Sequence, residues 1–143
     1  MRVSHILVLV TLIAVGCRTH DDDPRLIKKA SAETPSDAKA VSGSYYRGDG
    51  TGYNIYLTLK PNGSYAAEWQ GCLGKYGEAS GKWNLNEKRI TFHPSKEEGN
   101  LKGHLKSLDV QKFNGDWVLL PTDFNEKRGV SRASCYQKLD KIK

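Results

Sequence analysis

Three cysteines and four histidines carry the most versatile chemistry in this chain of 143 residues. Cys17 ends an apolar N-terminal segment, whereas Cys72 and Cys135 lie much further along, among alternating polar and apolar residues. In an exported protein, an even remainder of two cysteines predicts a disulfide between Cys72 and Cys135. The alternative role, a thiol nucleophile, needs a nearby histidine and a lowered thiol pKa, and the sequence indicates neither.

The histidines give little support to a metal site. His5 and His20 fall in the N-terminal segments, which leaves His93 and His104 on either side of a predicted turn. Two imidazoles on adjacent strands, without a paired acid or thiolate, make a poor metal site. We therefore predict exposed histidines at strand ends, no metal and no cofactor.

A glycine-rich stretch that includes Arg47, Asp49 and Thr51 is the candidate rim of a binding site. It lacks the Gly-Lys-Ser/Thr ending of a phosphate-binding loop and the spaced acids of a calcium loop. Binding residues concentrate on loops that a rigid frame holds in place. The stretch is therefore predicted to be a mobile loop at the mouth of a barrel.

Residues 69–77 (WQGCLGKYG) form the most distinctive short segment of the chain. Its glycines, aromatic residues and cysteine predict a sharply constrained turn, either a hairpin pinned by a disulfide or a close backbone approach to a ligand. No triad order, nucleotide motif or pair of acids stands out elsewhere. No catalytic residue is therefore assigned, and the chain is predicted not to be an enzyme.

The elements that must position these residues are strands. From residue 42 onward, short alternating runs are separated by Gly, Asn and Pro, which predicts an antiparallel all-β fold. In the clearest run, Tyr53, Ile55 and Leu57 share one face. About eight such strands with short connections favour a small up-and-down barrel over an open sandwich. Residues 101–110 are expected to be one of these strands, with a β-bulge near Lys106.

Four aromatic side chains are candidates to line a cavity inside this barrel: Tyr53, Tyr65, Trp69 and Trp83. Ligand-binding barrels place such rings around an internal pocket. In a barrel of about a hundred residues the same rings are sufficient to fill the interior. Core packing is therefore the favoured alternative.

The N-terminus has the three zones of an export signal. Arg2 supplies a positive charge, and residues 6–15 (ILVLVTLIAV) form an apolar run that is shorter than the roughly 20 residues of a transmembrane helix. The small residues that follow end in Ala14-Val15-Gly16-Cys17, which resembles the lipobox of bacterial lipoproteins.

The lipobox resemblance implies that residues 1–16 are removed as a signal peptide and that Cys17 receives acyl chains such as palmitate. More than one chain holds a protein stably on a bilayer. Residues 17–41 are predicted to be a flexible tether, and residues 42–143 the barrel domain. Arg18 stands where an Asp would resemble an inner-membrane retention signal, which favours the outer membrane, facing the periplasm or the cell surface.

Five short motifs follow one another in an order that is similar to lipocalin-like lipoproteins of the bacterial envelope. They are Tyr45-Tyr46, Leu57-Thr58-Leu59, Asn62-Gly63-Ser64-Tyr65, Gly81-Lys82-Trp83 and Ile90-Thr91-Phe92. The N-terminal barrel of the NlpE type of copper-homeostasis lipoprotein is one example. That family carries a Cys-x-x-Cys pair near its first strand, and this chain has Gly48-Asp49-Gly50-Thr51-Gly52 there. The resemblance therefore implies the fold and no metal role.

The formal net charge of +6 comes from basic residues that are scattered along the chain. Without a basic run interleaved with aromatic residues, no nucleic-acid partner is predicted. We predict a non-enzymatic envelope lipoprotein that binds a small hydrophobic ligand or a protein partner. The alternative is an inhibitor of an envelope-attacking hydrolase such as lysozyme, although a basic inhibitor is poorly steered to a basic enzyme.

Overall fold

The computed structural model describes residues 30–124 and 133–141. The predicted signal peptide 1–16, the lipidation site Cys17 and the first part of the predicted tether lie outside these residues. None of the helices in the described ranges is long and apolar enough to cross a bilayer.

Alternating side chains produce nearly all of the regular structure. Along Asn54–Leu59, for example, Ile55, Leu57 and Leu59 are buried and Tyr56 is exposed, as expected for a strand with one face on a core. The strands in the described ranges are β1 (Ala30–Ser31), β2 (Gly43–Gly48), β3 (Asn54–Leu59), β4 (Ser64–Gly71), β5 (Gly74–Asn86), β6 (Arg89–Gly99), β7 (Ser107–Phe113), β8 (Asp116–Pro121) and β9 (Tyr136–Lys138). A one-turn helix, α1 (Ala38–Val41), precedes β2, and a 3-10 turn (Leu139–Lys141) follows β9.

Strands β2 to β9 form a closed antiparallel barrel in which each strand pairs with its neighbours in the chain. The ring closes where β9 pairs with β2, with Tyr45 opposite Lys138 and Tyr46 opposite Gln137. Closure leaves no free edge along the paired parts of the ring. The prediction of a small all-β, up-and-down barrel of about eight strands is confirmed.

The barrel has two different ends. We call one end the mouth; it carries the β2–β3, β4–β5 and β6–β7 loops and the described part of the β8–β9 connection. The opposite end, the base, carries the β3–β4, β5–β6 and β7–β8 turns and α1. Val41 of α1 is fully buried in the main core, and its carbonyl accepts a hydrogen bond of 2.7 Å from the Tyr45 hydroxyl. The helix therefore packs against the core from the base.

Part of the predicted tether is packed onto the barrel. Ala30 and Ser31 pair with Phe113 and Lys112 at the end of β7. The Lys88 ammonium then donates to the carbonyl of Ala32 at 2.6 Å. Residues 30–41 therefore form part of the folded unit, which differs from the free spacer predicted for 17–41. The chain enters the barrel at its base.

The expected strand at residues 101–110 is wrong in its first half. Residues 100–104 form turns, and β7 begins only at Ser107. Leu101 and Leu105 are buried in the main core because the β6–β7 loop folds over the end of the barrel. The register shifts lie instead at Trp69/Gln70 and Ser80/Gly81, so no β-bulge lies near Lys106.

Candidate functional site at the mouth of the barrel

Arg47 is the charged side chain at the centre of the mouth. It follows the buried Tyr45 by two positions on β2, so it lies on the inward face near the end of the strand. Its guanidinium carbon lies 5.3 Å from the ring centroid of Tyr53 and 5.6 Å from that of Tyr136. Its Nε donates a hydrogen bond of 2.9 Å to the carbonyl of Ala133. Two aromatic rings and one carbonyl therefore fix the guanidinium in place.

Tyr53 and Trp69 lie beside this arginine as a half-buried aromatic pair. Their ring centroids are 4.6 Å apart in a T-shaped arrangement, a favourable geometry for aromatic rings. The Trp69 ring also contacts His104 edge to face at 5.4 Å. We call Arg47, Tyr53, Trp69, His104 and Tyr136 the mouth cluster.

The rim loop that joins β2 to β3 is held by its own side chains. The Oδ1 atom of Asp49 accepts the backbone N–H groups of Thr51, Gly52 and Tyr53 at 2.9, 3.0 and 3.1 Å. These hydrogen bonds lower the pKa of the Asp49 carboxyl from 3.8 to about 2. The expected mobile loop is therefore a fixed turn, and the Asp49 carboxylate is occupied by backbone donors.

A second anchor of the rim loop comes from Asn54. Its Oδ1 accepts from the Tyr46 hydroxyl at 2.6 Å and from the Gly50 N–H at 3.1 Å. A Cβ on Gly48 would lie only 2.4 Å from the carbonyl oxygen of Tyr53, so glycine is required where the loop leaves β2. The loop thus presents Arg47 and Tyr53 on a rigid support.

Tyr136 is fully buried, and its hydroxyl proton has no acceptor among the residues that the structure describes. Burial raises the pKa of this phenol, while the charge of the nearby Arg47 and the approach of its N–H groups to the phenol oxygen oppose the rise. Leaving a buried polar group unsatisfied costs about 1–3 kcal/mol. The barrel therefore holds an unused donor next to its inward-facing guanidinium.

His104 and His93 are not brought together. The pKa of His104 lies below its ordinary value, first because the ring is partly desolvated and then because of the Arg47 charge, with Asp123 opposing both. His93 lies on the outer face of β6, with its Nε2 3.3 Å from Asn84 Oδ1. In ranges 30–124 and 133–141, no group of three or more His, Cys, Asp or Glu side chains is arranged to hold a metal ion.

The four candidate cavity-lining aromatics separate into two pairs. Tyr53 and Trp69 lie at the mouth, whereas Tyr65 and Trp83 are buried in the main core. The Trp83 indole donates to the carbonyls of Lys60 and Ser64 at 3.1 Å each, near the base, and the Tyr65 ring packs on Phe92 at 4.8 Å. Tyr65 and Trp83 therefore fill the interior, and the mouth pair remains available to a ligand.

The predicted disulfide between Cys72 and Cys135 is not formed in the structure. Cys72 is exposed in the β4–β5 turn, where its thiol donates to the carbonyl of Thr51. Cys135 is fully buried on the outer side of the barrel wall, in a small cluster with Phe113 and Val118. Burial raises the pKa of the Cys135 thiol to about 11. An even number of cysteines was a poor guide, because it carries no information about where the two sulfurs lie.

The β4–β5 turn projects from the mouth with an apolar tip. Leu73 is 91% exposed. Behind this tip, Glu68, Glu78 and Glu98 stand opposite one another on three adjacent strands. Like charges in such a row repel each other, and Lys96 offsets the repulsion by pairing with Glu78 and Glu98. The predicted constrained turn at residues 69–77 is thus a projecting hairpin without a disulfide.

Sequence reasoning missed Tyr136, His104 and the inward orientation of Arg47. The signal for Arg47 was present, because it continues the buried alternation of β2 two positions after Tyr45. Tyr136 gave no comparable signal, since its side chain lies beside Arg47 only when β9 pairs with β2 and closes the barrel.

Comparisons with models of protein families, with curated proteins and with solved structures gave no match to this chain.

Proposed function

We propose that this chain is a non-enzymatic, lipid-anchored protein of the bacterial envelope whose barrel mouth binds a small hydrophobic ligand. The observation that carries the proposal is the half-buried Tyr53–Trp69 pair beside Arg47, at the end opposite the helix-packed base. A concave, mostly aromatic surface with a few fixed polar groups is the usual form of a small-molecule site. The lipobox at Cys17 and the resemblance to lipocalin-like lipoproteins support the location and the class.

The packing of the barrel supports a site at the mouth rather than deep inside. Tyr45, Leu57, Val110 and Leu119 are essentially inaccessible to solvent and belong to one continuous core cluster. Leu101 and Leu105 of the β6–β7 loop extend that cluster towards the mouth. A ligand therefore meets Trp69 and Tyr53 before it meets the core, and its apolar surface is buried against their rings.

The entry of the chain at the base supports this arrangement. β1, the first element that the structure describes, joins the barrel at the base beside the β7–β8 turn, and the mouth lies at the opposite end. An anchored barrel of this kind presents its mouth away from the membrane, in the periplasm or at the cell surface.

Ligand capture from the native envelope tests the proposal. The full chain is purified from membranes in mild detergent, and bound small molecules are identified by native mass spectrometry. We expect a bound apolar compound that is lost from Trp69→Ala. Tyr56→Ala, which removes an exposed ring from the outer face of the neighbouring strand, is the matched control and retains it. Equal retention by both variants, or no bound compound in the wild type, would contradict mouth binding.

A second candidate function is inhibition of an envelope-attacking hydrolase such as lysozyme. It is favoured by Leu73, which projects from the hairpin tip as an apolar anchor, and by the row of glutamates on the outer face behind it. The three glutamates against the two lysines that pair with them, Lys75 and Lys96, leave this basic protein a small local excess of negative charge towards a basic enzyme. In a lysozyme assay, inhibition that is lost in Leu73→Asp and retained in Tyr56→Ala supports this function, and no inhibition excludes it.

A further inference from the structure

We infer that the mouth cluster recognises a compact anion on a flat apolar body, with the anionic group bound by Arg47 and the Tyr136 hydroxyl. This inference rests on the proposed function and names the class of ligand. An aromatic carboxylate is the simplest member of that class.

The first support is the state of the Arg47 guanidinium. None of the ion pairs found within the described ranges involves Arg47. Asp49, the closest acid along the chain, directs its Oδ1 to three backbone N–H groups of the rim loop. The Arg47 Nε is bonded to Ala133, while the two terminal nitrogens have the geometry that binds a carboxylate in a bidentate manner.

The second support is independent of charge and comes from Tyr136. Its ring packs under the Arg47 guanidinium, and its buried hydroxyl proton has no acceptor within the described ranges. A ligand oxygen that accepts from this hydroxyl removes the penalty of the unsatisfied donor. Because the Arg47 guanidinium and the Tyr136 hydroxyl are both donors, an oxyanion between the two groups accepts a hydrogen bond from each.

The third support defines the body of the ligand. Trp69 and Tyr53 offer ring surfaces next to Arg47, and His104 adds a third ring whose pKa is shifted towards the neutral form. The buried side chains of Leu101 and Leu105 already belong to the core beneath them. A flat ring system fits against such rings, whereas a long acyl chain needs interior space that these side chains fill.

Asp123 is the charge that opposes this recognition. Its negative charge tends to raise the pKa of both Tyr53 and His104. Its carboxylate repels an incoming anion, so the expected affinity is moderate and increases when Asp123 is replaced by Asn.

Calorimetric titrations of the full chain with three probes at pH 7.5 test the inference. The probes are 1-naphthoate, its neutral isostere 1-naphthamide, and inorganic phosphate. We expect naphthoate to bind about tenfold or more tightly than naphthamide, because a charge-assisted hydrogen bond is lost in the amide. We expect phosphate, which has no apolar body, to bind at least about tenfold more weakly than naphthoate.

Two variants assign the anionic group to its partners. Arg47→Gln is expected to weaken naphthoate binding about 10- to 100-fold and to leave naphthamide binding nearly unchanged. Tyr136→Phe is expected to weaken naphthoate binding about 3- to 10-fold without lowering the melting temperature. Arg89→Gln, which removes an arginine at the base that is paired with Asp109, is the matched control and leaves binding of both probes unchanged.

The outcomes separate this inference from the function on which it rests. Equal binding of naphthoate and naphthamide, both lost in Trp69→Ala, overturns anion recognition and leaves mouth binding intact. Phosphate that binds as tightly as naphthoate overturns the flat apolar body. If neither naphthalene probe binds, the inference fails, and ligand capture from the native envelope decides the proposed function. If Arg47→Gln does not fold, Tyr136→Phe decides, and unchanged naphthoate affinity in that variant overturns the inference.

Discussion

Within the part of the chain that the structure describes, Arg47 forms no ion pair and the buried Tyr136 hydroxyl has no acceptor, and the two side chains lie side by side at the mouth. Most buried polar groups in proteins are hydrogen-bonded, so each exception calls for an explanation. The Tyr65 hydroxyl in the main core is a second exception, whereas Tyr136 lies beside a charged side chain at the mouth. Arg47 and Tyr136 are therefore the residues on which the functional account depends most. Tyr136 can be tested without any ligand, through its effect on stability.

Tyr136→Phe removes the unsatisfied hydroxyl and nothing else. We expect the free energy of unfolding in urea to stay the same or to rise by about 1 kcal/mol, because the folded state no longer pays for a buried donor. Tyr45→Phe is the control, since its hydroxyl donates to the Val41 carbonyl at 2.7 Å, and it is expected to lose about 1 kcal/mol. A loss of similar size in Tyr136→Phe would show that this hydroxyl has a partner.

The two cysteines of the barrel are expected to differ in reactivity. Cys72 is exposed, whereas Cys135 is buried with its thiol pKa raised to about 11. N-ethylmaleimide should therefore modify Cys72 in the native protein and Cys135 only after unfolding, because the thiolate is the reactive species. Intact mass measures the number of adducts. If the native protein takes no adduct until it is reduced, the structure is contradicted and the predicted disulfide between Cys72 and Cys135 is supported.

At the scale of elements, the rim loop between β2 and β3 is the feature that turns a barrel end into a rigid site. Three N–H donors converge on the Asp49 carboxylate, and the loop is thereby ordered before any ligand arrives. Preorganised groups lose less conformational entropy on binding. The order of this loop depends on the ionised form of Asp49.

Acid is expected to loosen this loop at a definite pH. Because the pKa of Asp49 is lowered from 3.8 to about 2, the ionised group stabilises the fold above about pH 4, and this contribution is lost as the pH falls through 2. Hydrogen-exchange protection of the Thr51, Gly52 and Tyr53 amides should follow the same course. Asp49→Ala should abolish their protection at neutral pH, and Asp37→Ala, which removes the α1 cap, is the control. Unchanged protection in Asp49→Ala would refute the fixed loop.

The sequence was sufficient to predict the barrel, since alternation in β3 and the turn at residues 61–63 are local signals of a hairpin. It misplaced residues 101–106 because Leu101 and Leu105, four residues apart, also fit one face of a strand. In the structure both side chains reach the core from the β6–β7 loop instead. The local sequence pattern also does not predict that Arg47 lies beside Tyr136. The two residues come together only when β9 pairs with β2 and closes the barrel.

At the scale of the whole molecule, the base and the mouth have separate roles. The chain enters at the base through β1, and α1 packs against the core from that end. The first described strand and the candidate site therefore lie at opposite ends of the barrel. This separation leaves the mouth accessible when the protein is held on a membrane.

Lipidation itself predicts a simple mass. Protein from the native membrane fraction should begin at Cys17 and be heavier than the polypeptide from residue 17 onward by its acyl chains. Cys17→Ala should abolish the added mass and release the protein from membranes. Cys72→Ala is the matched control and should remain anchored. An uncut or unacylated wild-type chain would refute the lipoprotein assignment.

The central claim, that the mouth is the binding end, is tested most directly by backbone amide chemical shifts during titration with 1-naphthoate and 1-naphthamide. The account predicts that the largest shifts fall in residues 47–53, at Trp69 and in residues 100–106, with little change around α1 and the turn at 86–89. Shifts that cluster at the base, or no saturable shifts with either probe, would contradict it.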